Sequence, residues 1–301
     1  MPTVVLAGAG AALGSWALSS SDDKPSATAP ETAEALPVPF PEIDFSPDKQ
    51  TALRQAEDRL VEGCMRDKGI TYRVPNGSWK PDVQSNPYGL LTKSAASADG
   101  YLLPEESEPS PDPELPDREN TALFGTEAHQ KSIPLPLGGE IAVRTDSCYN
   151  TAQDQLYGKD WKALRHTFET LSYDVVTQVE KDSRFTAAQR SWAECLRSAH
   201  YPVTTLDAMA PHAVKVLESV HGDAKATATV RKDLRAMAVQ DAACQNRARL
   251  AEAVTAAQKD ARNGVLRGAR STDLAHLREL RRHALDTAHR MSLDHEGNDL
   301  H

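Results

Sequence analysis

The chain has 301 residues, with 34 Lys and Arg against 43 Asp and Glu, and 40% of it is hydrophobic but only 5% aromatic. That length supports one large domain or two small ones around an Ala-rich core. A net charge of −9 without any dense Lys/Arg block argues against nucleic acid as a partner, because phosphate contact needs clustered cations.

In chain order, the first element is an uncharged run from Val4 to Leu18. Its fifteen residues fit a secretory apolar region, with Ala17, Leu18 and Ser19 as a small-residue site for cleavage after Ser19. Gly8, Ala9 and Gly10 after a Val-Val-Leu-Ala run also suggest a dinucleotide turn, but Leu13 occupies the sixth motif position and no helix signal follows. Retained as an anchor, the run would reach only about 22 Å of a ~30 Å hydrocarbon core. Residues 1–20 are therefore expected to be a signal peptide or membrane anchor. A cytoplasmic helical protein with a merely apolar N-terminus is the competing reading.

Residues 21–50 carry −5 and residues 101–120 carry −6, so the rest of the chain is close to neutral at +2. Both acidic segments are rich in proline and poor in apolar side chains, too poor to offset the entropy of ordering them. They predict a solvated linker over 21–45 and a disordered insert over 102–119, within a helical domain spanning 46–301.

Ser46 as N-cap, Pro47 in the first turn and Gly69 past the end predict a helix with Leu53, Ala56, Leu60, Val61 and Cys64 on its inner face. Short strands are expected at 70–74 and 140–143. A helix over 151–180 carries Leu156, Trp161, Leu164, Phe168, Leu171, Val175 and Val179 at three-to-four spacing. Another over 183–200 carries Phe185, Ala188, Trp192, Cys195 and Leu196, and stops at Tyr201-Pro202. Beyond Gly222 the pattern is helical to about residue 291, through Val230, Leu234, Met237, Cys244, Leu250, Val254, Leu274, Leu277, Leu280 and Leu285. A bend is expected at Asn263, Gly264 and Gly268, with Ser271 as the next N-cap, so that the stretch folds back as a hairpin against the helices of Cys64 and Cys195.

The four cysteines, Cys64, Cys148, Cys195 and Cys244, form no CxxC pair, and an even number in an exported chain implies two disulfides. Their surroundings repeat. Cys64-Met-Arg matches Cys195-Leu-Arg, and Cys148-Tyr-Asn-Thr-Ala matches Cys244-Gln-Asn-Arg-Ala. Of the three possible pairings, the repeat selects Cys64 with Cys148 and Cys195 with Cys244, because a duplicated unit keeps its staple internal. The expected fold is mainly α: a helical domain of two cysteine-stapled repeat units with a long C-terminal helical hairpin.

The paired Cys-[Met/Leu]-Arg signatures, Tyr88-Gly89-Leu90, Gly100-Tyr101 with Pro104, the stretch from Asn120 to Gly125, and Cys148 with Leu156-Tyr157-Gly158 resemble a family of actinobacterial extracytoplasmic proteins and lipoproteins without an assigned activity. The likeness covers roughly residues 50–290. It implies export, a helical fold with cysteine pairs, and tethering at the outer face of the membrane. Two departures stand out: no lipobox cysteine follows the apolar run, and His200 occupies the glycine position. The turn after the second cysteine helix is accordingly expected to differ from the turn after the first.

Catalytic signals are sparse. His283, His289, His295 and His301 recur every six residues, which suggests metal ligation and a metal-assisted hydrolase. Six residues turn a helix by about 600°, however, leaving successive rings about 240° apart. His276 and His283 do share a face, beside Arg278, Arg281 and Arg282. There is no G-x-S-x-G elbow, and the carboxylate pairs Asp22-Asp23 and Glu105-Glu106 fall in the acidic segments. The expectation is a non-catalytic binding or scaffold protein of the cell envelope without a cofactor. Its partner would be an envelope protein or cell-wall component, and it would touch the membrane only through the N-terminal segment.

Overall fold

A computed structural model of the chain describes residues 35–73, 85–98, 100–101, 115–201, 203–220 and 222–298. The apolar run 4–18, the first part of the acidic linker and residues 102–114 lie outside the described residues.

The fold is mainly helical. Helix α1 (Pro47–Asp67) begins at Ser46-Pro47 and buries Leu53, Ala56, Val61 and Met65, although the Ser46 side chain makes no capping bond to a backbone N–H of the helix. Cys64 is only half-buried, because the inner face runs through Met65. Residues 70–73 form no strand, although Ile70 is buried beside Met65. Two short helices follow, α2 (Lys93–Ala98) and α3 (Asp117–Phe124), so the end of the expected disordered insert is ordered. Ala122 and Leu123 anchor α3 in the small core around Val61, Met65 and Cys148.

The expected strand at 140–143 is present as β2 (Glu140–Arg144), paired antiparallel with β1 (Gln130–Pro134) so that Ile133 faces Ile141. The expected single helix over 151–180 is two helices, α4 (Cys148–Tyr157) and α5 (Trp161–Lys181). Gly158 separates them at φ +89, a conformation that L side chains rarely adopt, and a Cβ there would lie 2.9 Å from Leu280 Cδ2. Ser147 caps α4 by accepting from the backbone N–H of Asn150.

Helix α6 (Ser183–Ser198) buries Phe185, Trp192, Ala193 and Leu196, and α7 (Met209–Glu218) adds Met209, Ala213 and Leu217. The long C-terminal stretch is three helices, α8 (Ala224–Arg247), α9 (Leu250–Val265) and α10 (Ala269–Asn298). The break before α9 was not expected. It falls at Arg249, which takes a left-handed φ of +55. The expected bend comes at Gly268, φ +65, but Gly264 lies inside α9, and Ser271 donates back to the Gly268 carbonyl within α10 instead of capping it.

The end of the chain folds back at Gly268 and packs, as expected, on the helices of Cys64 (α1) and Cys195 (α6). Helix α9 packs on α5 and α6, whereas α10 packs on α1, α4 and α5, so α5 is the surface they share. The main core lies among α5, α6, α8 and α9 and includes Phe168, Val175, Val179, Trp192, Leu196 and Leu250. Each of the larger side chains contributes about 1.5–3 kcal/mol by leaving water. A smaller cluster joins Leu53 and Ala56 of α1 to Leu156 of α4 and to Ala284 and Ala288 of α10. Among the described residues, no helix is long and apolar enough to cross a membrane.

Residues 35–45, expected as solvated linker, instead form an ordered strap. Phe40 is 1% and Ile43 9% exposed, with the Phe40 ring edge-on to Phe168 at 5.1 Å. Three arginines hold the strap. Arg262 and Arg278 donate to Glu42 Oε1 at 3.2 and 2.6 Å, and Arg281 donates to the backbone carbonyls of Pro41, Glu42 and Asp44. The guanidinium of Arg262 lies over the Phe40 ring at 4.9 Å and that of Arg281 over Phe45 at 4.2 Å. Burial opposes ionisation of Glu42, but the Arg278 hydrogen bond and the charges of both arginines outweigh it and hold the carboxyl below its ordinary range. The acidic composition concealed this segment because its apolar side chains, Leu36, Val38, Phe40, Ile43 and Phe45, alternate first with prolines, which bar an ordinary paired strand, and then with acids.

Candidate functional site

The cysteines are joined Cys64 to Cys148 and Cys195 to Cys244, with Cα atoms 5.6 Å apart in each bond. The two units are not equivalent, however. Cys148 opens the short helix α4, whereas Cys244 lies in the last turn of α8. What is repeated is the end of the first cysteine helix in each unit. After α1, the N–H of Ile70 donates to Met65 O (3.0 Å) and that of Gly69 to Arg66 O (2.8 Å). After α6, the N–H of Tyr201 donates to Leu196 O (3.0 Å) and that of His200 to Arg197 O (3.0 Å). Both are Schellman caps. Gly69 has φ +70 and His200 φ +67, so the expected difference between the two turns does not exist: His200 accepts the left-handed conformation that glycine takes in the first.

Among the described residues the histidines do not converge. The rings of His283 and His289 are exposed on α10, and His276 bonds to Asp160 Oδ2 at 3.2 Å. The His295 side chain and His301 lie outside the described residues, as do Asp22, Asp23, Glu105 and Glu106. Among the described residues, no three His, Cys, Asp or Glu side chains are grouped to hold a metal ion.

Two buried polar constellations escaped the sequence reading. The first centres on Asp241 of α8, which is fully buried next to the Cys195–Cys244 staple. Its carboxyl accepts from Trp192 Nε1 (2.7 Å), Tyr101 OH (3.0 Å) and Gln245 Nε2 (3.0 Å). Gln245 in turn accepts from the Leu91 N–H and donates to Gly89 O. The network thus ties the Tyr88–Tyr101 region to α6 and α8. Burial pushes the Asp241 pKa up, against the three hydrogen bonds.

The second is a cleft of about 760 Å³ between the strap, α1, β2, α4 and α5, a volume in the range of small-ligand sites. Glu57 of α1 lies on its wall, 9% exposed, and Gln153 of α4 donates to its Oε1 at 3.0 Å. Burial raises the Glu57 pKa; the Gln153 hydrogen bond and the nearby Arg54 and Lys162 charges only partly oppose this. An aromatic group lines the same space: Tyr157 stacks on Trp161 at 5.2 Å, and Phe45 lies 5.8 Å from Trp161. The Tyr157 hydroxyl pKa is pushed up to about 12 by burial and by the Glu57 charge.

Cations at the cleft are engaged within the protein. Arg54 pairs with Asp58 at 2.9 Å and Arg165 with Glu169 at 2.9 Å. Lys162 bonds to Asp154 Oδ1 at 3.0 Å and to Asn150 Oδ1. Such an arrangement holds amide, hydroxyl and carboxyl groups in place beside an aromatic surface without a strong net field. A sequence signal for Glu57 did exist. It stands four residues after Leu53 and four before Val61, an acid on the inner face of α1. Asp241 stands likewise four residues after Met237 on the inner face of α8.

Comparison with protein-family models, with curated proteins and with solved structures finds no match to this chain.

Proposed function

We propose that this chain is an exported binding or scaffold protein of the cell envelope, secreted or held at the outer face of the membrane by its N-terminal segment. It acts without catalysis, on an envelope protein or a cell-wall component. The observation that carries this reading is the pair of disulfides, Cys64–Cys148 and Cys195–Cys244, which uses every cysteine of the chain. Such bonds persist in oxidising compartments and are rare in a reducing cytosol. The cleft beside Glu57 supports binding over reaction, since its charged side chains are paired with one another and Glu57 is held by an amide. Fractionation of the native host, with free thiols alkylated before lysis, tests the proposal. The expected result is protein in the extracytoplasmic fraction with no cysteine alkylated. Cytosolic protein carrying four alkylated cysteines would overturn it.

A further inference from the structure

Three properties of the cleft between α1, α4 and α5 restrict what it takes. First, its charges are compensated. Arg54, Arg165 and Lys162 have carboxylate partners at 2.9, 2.9 and 3.0 Å, so an anionic ligand would have to compete with them. Second, the Glu57 carboxyl is bonded to the neutral amide of Gln153 and is 9% exposed, an arrangement that suits a hydrogen-bonding role better than the holding of a cation. Third, the Gln153 amide and the Tyr157 hydroxyl stand beside the Tyr157–Trp161 stack, so a polar edge and a flat apolar face line one space.

A ligand that answers all three is uncharged, carries donors and acceptors on adjacent atoms along its edge, and has a face of C–H groups. A saccharide ring has that chemistry. Carboxyl and amide groups both accept from vicinal hydroxyls, and the amide N–H donates back. We propose that this cleft binds a neutral, hydroxyl-rich saccharide of a few sugar units, with Gln153 and Glu57 on its hydroxyl edge and Tyr157 against its C–H face. The assignment rests on the envelope-binding reading above for its biological setting, and on the cleft alone for its chemistry.

The test is titration of the oxidised full chain with neutral tetrasaccharides (chitotetraose, cellotetraose and mannotetraose) and with tetragalacturonate as the anionic comparator. Binding is followed by calorimetry and by the indole resonance of Trp161. At about 10 mM ligand, a site with a Kd of about 1 mM is close to saturation. At least one neutral tetrasaccharide is expected to bind and shift the Trp161 signal. Gln153→Ala should weaken that binding about tenfold, whereas His283→Ala on the exposed face of α10 should leave it unchanged. If Gln153→Ala lowers the melting temperature, the near-isosteric Glu57→Gln replaces it, with weakening again expected because the new amide changes the donor pattern. Response to none of the neutral sugars, binding of tetragalacturonate in preference to them, or binding unaffected by the cleft variant would overturn the proposal. Sugar binding by a protein that fractionates with the cytosol would leave the cleft assignment standing and remove the envelope reading. An exported protein blind to the neutral sugars would do the reverse.

Discussion

The two Schellman caps provide an internal experiment, because one backbone conformation is occupied by glycine at position 69 and by histidine at position 200. Holding a Cβ-bearing residue in the left-handed region costs about 1–2 kcal/mol. Glycine returns about 0.4–1 kcal/mol of that through the greater freedom of the unfolded chain. His200→Gly should therefore stabilise the protein by about 0.5–1 kcal/mol, raising the melting temperature by about 1–4 °C for a domain of this size. The His200 side chain is exposed, so little packing is lost. Gly69→Ala is the reciprocal change. Its Cβ would meet nothing nearer than the Arg118 guanidinium at 3.7 Å, so the cost is backbone strain alone and should be of similar size with opposite sign. Urea unfolding of the oxidised protein measures both, and His200→Ala is the control: it removes the imidazole but keeps the Cβ, and should bring no gain. A stabilisation by His200→Ala equal to that by His200→Gly would show that the ring carried the cost, and would refute the backbone argument.

Replacing Cys195 and Cys244 by serine opens a loop of 49 residues, for which chain entropy gives about 4 kcal/mol as an upper figure; the melting temperature should fall on the order of 10 °C, read by calorimetry with the other bond intact. Gly125→Ala should cost about 3 kcal/mol or more, because its Cβ would lie 2.5 Å from Asp146 Oδ1 and 3.0 Å from the Ser147 nitrogen, whereas Gly268→Ala meets nothing within 4 Å and should cost about 1 kcal/mol in the same denaturation assay. Asp241 has a raised pKa, so the native state keeps a proton that the unfolded chain has already released. Its contribution to stability is then lost as pH rises from the ordinary value of 3.8 through the folded one. Asp241→Asn should accordingly gain on the parent protein as pH rises above the ordinary carboxyl value of 3.8, and a difference independent of pH would show that the carboxyl does not titrate above it.

Much of this fold is legible in the residues because its punctuation is local. Ser46-Pro47 and Gly69 bracket α1, and the repeated cysteine surroundings identify the disulfide partners. Two of the errors share a cause: periodicity cannot register a break whose flanks continue the same apolar spacing. Gly158 divides α4 from α5 while Leu156 and Trp161 both face inward, and Arg249 divides α8 from α9 without any glycine to mark it. The strap was obscured by proline and acid content, and its order comes from arginines more than two hundred residues away. The cleft was hidden for a different reason: it is assembled from five separate segments, and only the lone acid on the inner face of α1 hinted at it. His200 shows the converse case, in which a rule about residue preference was outweighed by the hydrogen bonds that close the helix end.

The strap also governs the order in which the molecule can be completed. Glu42 and Arg278 are 236 residues apart in sequence, and the Leu53 and Ala56 face of α1 is covered by Ala284 and Ala288 of α10. A chain emerging from its N-terminus cannot shield these early segments until its last helix has arrived. Cys64 and Cys148, 84 residues apart, can meet well before that. Closure of the first staple therefore does not depend on α10, whereas shielding of the strap and of the Leu53 and Ala56 face does, so the thirty residues of α10 complete a body whose first half is already able to be clamped.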